Sequence, residues 1–229
     1  HGADEFHGVG GELRVEERRV NWEILDAWRD AAEECGIKKI NEFNRGDNLG
    51  NAYFQMNQRK GSRWSATKAY LRPIVSRKNL TVLTYAHVKK INVDITDGLK
   101  VAKGVVVSIK KNHPKFFSAK KEVILSAGSI GSPQILQLSG IAGKSLLDKM
   151  GIPLTHELEG VGENLHDHLQ IRSVYEVQNT VTLNQRINSV IGKIKMGLEY
   201  IIFKTGPLTM PPSQLGAFAK SDPSQPTAN

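Results

Sequence analysis

The sequence predicts a mixed α/β fold, shading into α+β, on three observations. Val123, Ile124 and Leu125 form a short continuous apolar run, the pattern of a strand covered on both faces. The stretch from Thr81 to Ile109 alternates apolar and polar residues around Asp97-Gly98, the pattern of an antiparallel hairpin. Residues 21–36 and 187–203 carry apolar side chains at helical spacing.

In chain order, Asn21 is placed to cap a helix whose Ile24, Leu25, Trp28, Ala31, Ala32 and Cys35 share one side, with Gly36 as its stop. Trp22 and Trp28 read as packing residues of that helix. Ser65 to Arg72 is a short helix halted by Pro73. Thr81 to Val93 is one hairpin strand, Val101 to Ile109 its return, and Lys115 to Ala119 a further strand. After the buried run at 123–125, Ser126, Ala127 and Gly128 keep side chains small where the backbone passes close to something. Ser132 as cap, Pro133 at the first helical position and Gly140 as stop define the next helix. A strand, a small-residue turn and a helix in that order suit a bound nucleotide. Ser145 to Met150 is a helical turn closed by Gly151, and Ile187 to Phe203 is a single long helix ended by Gly206-Pro207. The tail from Ser221 to Asn229, rich in Pro, Ser and Thr, reads as disordered.

Composition narrows the class. With 229 residues, 39% of them apolar, the chain can bury a real core. No run reaches the ~18 apolar residues of a membrane span, and no signal-peptide pattern begins the sequence. Cys35 stands alone, so no disulfide framework exists and a reducing, cytoplasmic compartment is expected, with peripheral attachment to a membrane left open. Asn79-Leu-Thr81 matches a glycosylation sequon by chance.

Charge is uneven. Residues 59–121 carry 16 basic and 2 acidic side chains, whereas the whole chain has a net charge of +8. Such a stretch could neutralise phosphates. Its lysines, however, alternate with apolar residues as on the wet face of a sheet, and no nucleic-acid recognition motif accompanies them. Nucleic acid is therefore not an expected partner. His166 and His168 flank Asp167, but no cysteine pair or third histidine stands near them, so no metal site is expected.

The run Ala127-Gly-Ser-Ile-Gly-Ser-Pro-Gln-Ile-Leu-Gln-Leu-Ser-Gly-Ile141 resembles the second signature of the glucose-methanol-choline (GMC) flavoprotein oxidoreductases. One departure is Ala142, which stands where the last glycine is usual. Other segments in matching order are similar to that family too: Phe6-His-Gly-Val-Gly-Gly11, Gly61-Ser-Arg-Trp-Ser-Ala-Thr-Lys-Ala-Tyr-Leu71, Asn79-Leu-Thr-Val-Leu-Thr-Tyr-Ala-His-Val88, Gly160-Val-Gly-Glu-Asn-Leu-His-Asp-His168 and Gly206-Pro-Leu-Thr209. The flavour is choline-dehydrogenase-like.

The resemblance implies part of a Rossmann-like FAD-binding domain interleaved with part of a substrate-binding domain built on an antiparallel sheet. Residues 79–170 would belong to the FAD domain, 1–78 to the cap or substrate side, and 171–229 to the start of the substrate-binding domain. FAD is the implied cofactor. Val88 would offer its backbone to the adenine edge, and Ser126, Ala127 and Gly128 would lie near the adenosine and ribose. Asn164, with Asp167 and His168, would sit in a loop facing the cofactor. The implied reaction is oxidation of a CH–OH group by hydride transfer to flavin, with a small alcohol as substrate and oxygen or a quinone as acceptor.

Family members also carry a Gly-x-Gly-x-x-Gly turn and a catalytic histidine in a His-Trp-x-Gly-Thr-like segment. Neither pattern occurs in these 229 residues. No catalytic residue is assigned, and the stretch is read as an internal fragment, inactive by itself. A noncatalytic module keeping only the flavin fold stays open, as does, more remotely, a basic nucleic-acid-binding domain. For choline, an aromatic cage would be needed around the quaternary ammonium; Tyr53, Phe54 and Trp64 are the candidates.

Overall fold

Helix α1 (Glu23–Glu34) is the first regular element. The computed structural model describes residues 2–110 and 113–226, which fall into two units, His1–Leu80 with Val174–Asn229, and Thr81–Ser173. Helix α1 is capped not by Asn21 but by the backbone of Trp22, because the Asn21 side chain accepts a hydrogen bond from Arg18 Nε at 2.8 Å. Of its apolar stripe only Ala32 is buried, while Trp28 and Cys35 are exposed; Trp22, just ahead of the helix, takes the core position instead. Gly36 ends the helix with φ near +88°.

Strand β1 (Gly50–Tyr53) is buried along its whole length. Asn51 is fully buried, yet its polar atoms are occupied: Nδ2 donates to Ile37 O at 2.6 Å and Oδ1 accepts from Arg29 Nε at 3.2 Å. The Tyr53 hydroxyl donates to Asp26 while the Arg18 guanidinium lies 3.4 Å from its ring centroid. Burial, followed by the Asp26 carboxylate, pushes the Tyr53 phenol up to about 12. Strands β2 (Gln58–Arg59) and β3 (Ser62–Arg63) form a two-residue hairpin. The helix expected at 65–72 is a π-helical turn (Thr67–Leu71) running into a 3-10 turn (Arg72–Ile74). Pro73 lies at the start of the latter, where a residue's N–H has no partner inside the helix.

In the second unit, β4 (Ala86–Thr96), β5 (Leu99–Ile109) and β6 (Lys115–Ser118) form an antiparallel sheet in that order. Asp97 and Gly98 both have positive φ, 52° and 77°, as the two-residue turn requires. The first strand begins at Ala86 rather than Thr81, and β4 departs from regular register between Val88 and Lys90 and between Asn92 and Val93. The buried strand expected at 123–125 is not formed: residues 122–126 pair with no strand among the described residues, and Ile124 is 79% exposed. A doubly covered strand is held by neighbouring strands, and here it has none.

Helix α2 (Gly128–Leu138) starts a turn earlier than Ser132 and Pro133 suggest, so Pro133 sits inside it. Ser132 still satisfies the helix start, its Oγ accepting from Ala127 N at 3.0 Å. Strand β7 (Ile141–Ala142), α3 (Lys144–Met150) and β8 (His156–Glu157) follow, with β7 and β8 parallel. Helix α3 closes on left-handed Gly151, as the sequence reads, and buries Leu147 completely. At its surface Lys144 bonds Asp148, a hydrogen bond that raises the lysine above its ordinary range.

The chain then returns to the first unit. A separate short helix, α4 (Leu183–Ile187), precedes the helix expected at 187–203, which is α5 (Val190–Phe203) and starts three residues later. Thr182 and Gln185 form a capping box on the first. Ser189 breaks the run because its side chain accepts from Gly192 N and starts a new helix. Strand β9 (Leu215–Phe218) pairs antiparallel with β1, Gly50 opposite Phe218 and Tyr53 opposite Leu215. Phe43 packs its ring against Phe54 and Phe218 at centroid distances of 5.3 and 4.9 Å. Residues 221–226 carry a turn in which Gln225 N donates to Asp222 O; 227–229, the end of the tail expected to be disordered, lie outside the described residues.

Candidate functional site

The residues with the clearest case for binding meet at α2. Ser126, Ala127 and Gly128 form an exposed turn leading into this 11-residue helix. Gly128 has φ near +85°, and a Cβ placed there would meet nothing within 4 Å, so the backbone borders open space. No acidic side chain occupies the first helical turn, and the leading N–H groups of a helix have no partners inside it. Helix starts of this kind suit anionic groups.

Beside it runs a cleft of about 580 Å³, between Ser129, Ser132 and Pro133 of α2 and Gly160, Asn164 and His166 of the following turn. Asn164 takes a positive φ of 57°, which its short amide side chain tolerates. The structure thus brings Asn164 to the first turns of α2. Ser126, Ala127 and Gly128 precede that cleft rather than line it, and Val88 is not in its lining. Val88 is half-buried on β4, an edge strand of its sheet, opposite Val107 and next to a break in register. Edge position leaves part of the strand's backbone outside the ladder. Three residues on, Ile91 N turns away to donate to Ser139 Oγ of the α2 terminus at 2.8 Å. Among the described residues Asp167 accepts from the adjacent His168 N at 2.8 Å, and both residues are exposed.

One contributor escapes the sequence reading. Gln137 Nε2 donates to Val161 O at 3.2 Å and lines the same cleft. A glutamine inside the apolar stretch Ile-Leu-Gln-Leu is the signal that could have found it, but its partner is 24 residues away. Among the described residues no cluster of three or more His, Cys, Asp and Glu side chains is placed to hold a metal ion.

The aromatic cage does not assemble. Tyr53 is 5% exposed, with its ring under Arg18. Trp64 lies in a cleft of about 620 Å³ with Arg59 5.0 Å from its ring centroid. Phe54 lines another, of about 560 Å³, beside Tyr200 and Met210. In the same unit His7 joins a polar cluster: Nδ1 lies 2.8 Å from Asp4 and Nε2 3.1 Å from buried Glu42. The Phe6 N–H, and then His7 and Arg45, hold the Asp4 carboxyl below its ordinary value. This cluster ties residues 4–7 to residues 42–45.

Residues 3–170 match the family model described as GMC oxidoreductase. The mitochondrial choline dehydrogenase of Homo sapiens is 34% identical over 225 residues, 98% of this chain and 37% of that protein. An alcohol dehydrogenase [acceptor] of Pseudomonas putida is 32% identical over 226 residues, 98% of this chain and 40% of that protein. Among solved structures, a FAD-dependent oxidoreductase from Chaetomium thermophilum superposes with a TM-score of 0.81 at 26% identity, covering 92% of this chain and 37% of that one. The chain therefore spans a little over a third of the length of the relatives it matches. No helix among the described residues is long and apolar enough to cross a membrane.

Proposed function

Because this chain belongs to the GMC oxidoreductase family, we propose that it forms part of an FAD-dependent enzyme that oxidises the CH–OH group of a small alcohol, with choline the leading candidate. The observation that carries the choline reading is its similarity to choline dehydrogenases at 31–36% identity over 90% or more of its residues. Residues 79–170, close to the unit Thr81–Ser173, are proposed as the portion of the FAD domain, 1–78 as the cap or substrate side and 171–229 as the start of the substrate-binding domain.

The residues present fit the nucleotide half of FAD. Gly128 presents open backbone at a helix start free of acidic side chains. In this proposal Ser126, Ala127 and Gly128 hold the adenosine side through small side chains and main chain other than the Ala127 N–H, which Ser132 Oγ already takes. Val88 offers main chain from the edge of its sheet, and Asn164 supplies an amide from the opposite wall of the cleft. Bound FAD supplies the hydride acceptor, chemistry that no amino-acid side chain provides. What these residues contribute is binding and orientation. No proton-transferring residue is assigned to this stretch, and residues 1–229 alone are expected to show no turnover. Oxygen or a quinone is the proposed electron acceptor.

The test is an absorbance spectrum of the full-length purified protein, followed by anaerobic addition of a panel of alcohols that includes choline. A flavin band bleached by one alcohol supports the oxidoreductase and names its substrate. A colourless protein that takes up no added FAD removes the enzyme reading and leaves a fold without its cofactor.

A further inference from the structure

We propose that Gln137 is a positioning residue for the cofactor: it braces the 160–164 turn against α2, so that Asn164 and the helix's first turns line one cleft. This rests on the FAD reading above. Gln137 follows Pro133 by four residues and so shares its face of the helix, both lining the cleft. Its Nε2–H donates to Val161 O at 3.2 Å. The turn's other bonds are local ones within it, Val161 N to Leu158 O at 3.2 Å and Glu163 N to Gly160 O at 3.3 Å, so among the described residues Gln137 supplies its side-chain tie to the helix.

Gly162 shows how closely the two pieces approach. With φ near +90° it passes over the amide, and a Cβ there would overlap Gln137 Nε2. The approach is therefore side chain against bare backbone, and it comes two residues before Asn164. Without the donor, Val161 O turns to water, and the turn loses its fixed distance from the helix. A binding wall that must be ordered at the moment of binding weakens affinity by the cost of ordering it. Gln137 need not touch the cofactor to have this effect.

The experiment compares the full-length protein with Gln137→Glu, which keeps the size but at neutral pH lacks the donor, and with Gln137→His, which restores one. Two quantities are read: amide hydrogen exchange of residues 160–166 without FAD, and the FAD dissociation constant. In Gln137→Glu the exchange accelerates and the dissociation constant rises roughly three- to tenfold, the equivalent of one hydrogen bond. Gln137→His recovers both. Unchanged exchange in Gln137→Glu overturns the brace. Faster exchange with unaltered FAD affinity overturns the positioning role and leaves a structural tie. If the unaltered protein binds no FAD, the cofactor reading itself fails and the positioning role with it, while the exchange data still report whether Gln137 holds the turn.

Discussion

Tyr53 shows how much one side chain can settle. Its hydroxyl donates to Asp26, and burial followed by that carboxylate holds its proton until about pH 12, against an ordinary value of 10.0. Between those values the folded chain keeps a proton that the unfolded chain has lost, so stability falls as pH rises. Tyr53's contribution is fully present below pH 10 and is lost as pH rises through about 12. Tyr53→Phe should therefore be less stable than the parent at pH 8, with the gap narrowing as alkali is added. Urea unfolding across that range checks it; a gap that stays constant would mean that the phenol's ionisation is not linked to folding.

Among elements, the join between α2 and β4 matters most, because the proposed binding residues lie on both. Ser139 makes it: its Oγ–H donates to Ile135 O at 2.5 Å and its oxygen accepts from Ile91 N at 2.8 Å. Ser139 is 7% and Ile91 8% exposed, so Ser139→Ala strands a buried N–H. The expected loss is about 1–3 kcal/mol by chemical denaturation; a loss below about 0.5 kcal/mol would mean that water reaches Ile91 N. Elements that rest on local chemistry were legible in the sequence. The Asp97-Gly98 hairpin and the α3 stop at Gly151 follow from turn residues and periodicity alone. Those that depend on what else is nearby were not. The apolar run at 123–125 has no strand to pair with among the described residues, Asn21 was taken by Arg18, and Ser189 divided a continuous helical pattern. At the site, the motif residues at 126–128 and Asn164 were readable as candidates, whereas Gln137 needed a contact that spacing cannot reveal.

On the scale of the whole molecule, much of the basic excess in 59–121 lies at the surface. Lys89, Lys90, Lys100 and Lys115 are exposed on or beside the β4–β5–β6 sheet, and no element among them has the form of a groove-reading helix. Attraction to polyanions should thus be purely ionic and sensitive to salt. A 20-base-pair duplex titrated in rising salt should bind measurably only at low ionic strength, with no saturation below about 100 μM at physiological salt. Tight, sequence-selective binding under those conditions would instead make nucleic acid a true partner.

The pairing of β1 with β9 also sets a schedule for synthesis. Gly50–Tyr53 leaves the ribosome about 160 residues ahead of Leu215–Phe218, a wait of roughly ten to thirty seconds at ordinary translation rates. During that interval β4, β5 and β6 have all emerged and can pair with one another, while a strand destined for full burial still lacks its mate. An unmated edge invites pairing with the wrong chain. Slowing elongation between the two strands should therefore lower the yield of correctly folded protein, and a nascent-chain chaperone that shields Gly50–Tyr53 should restore it.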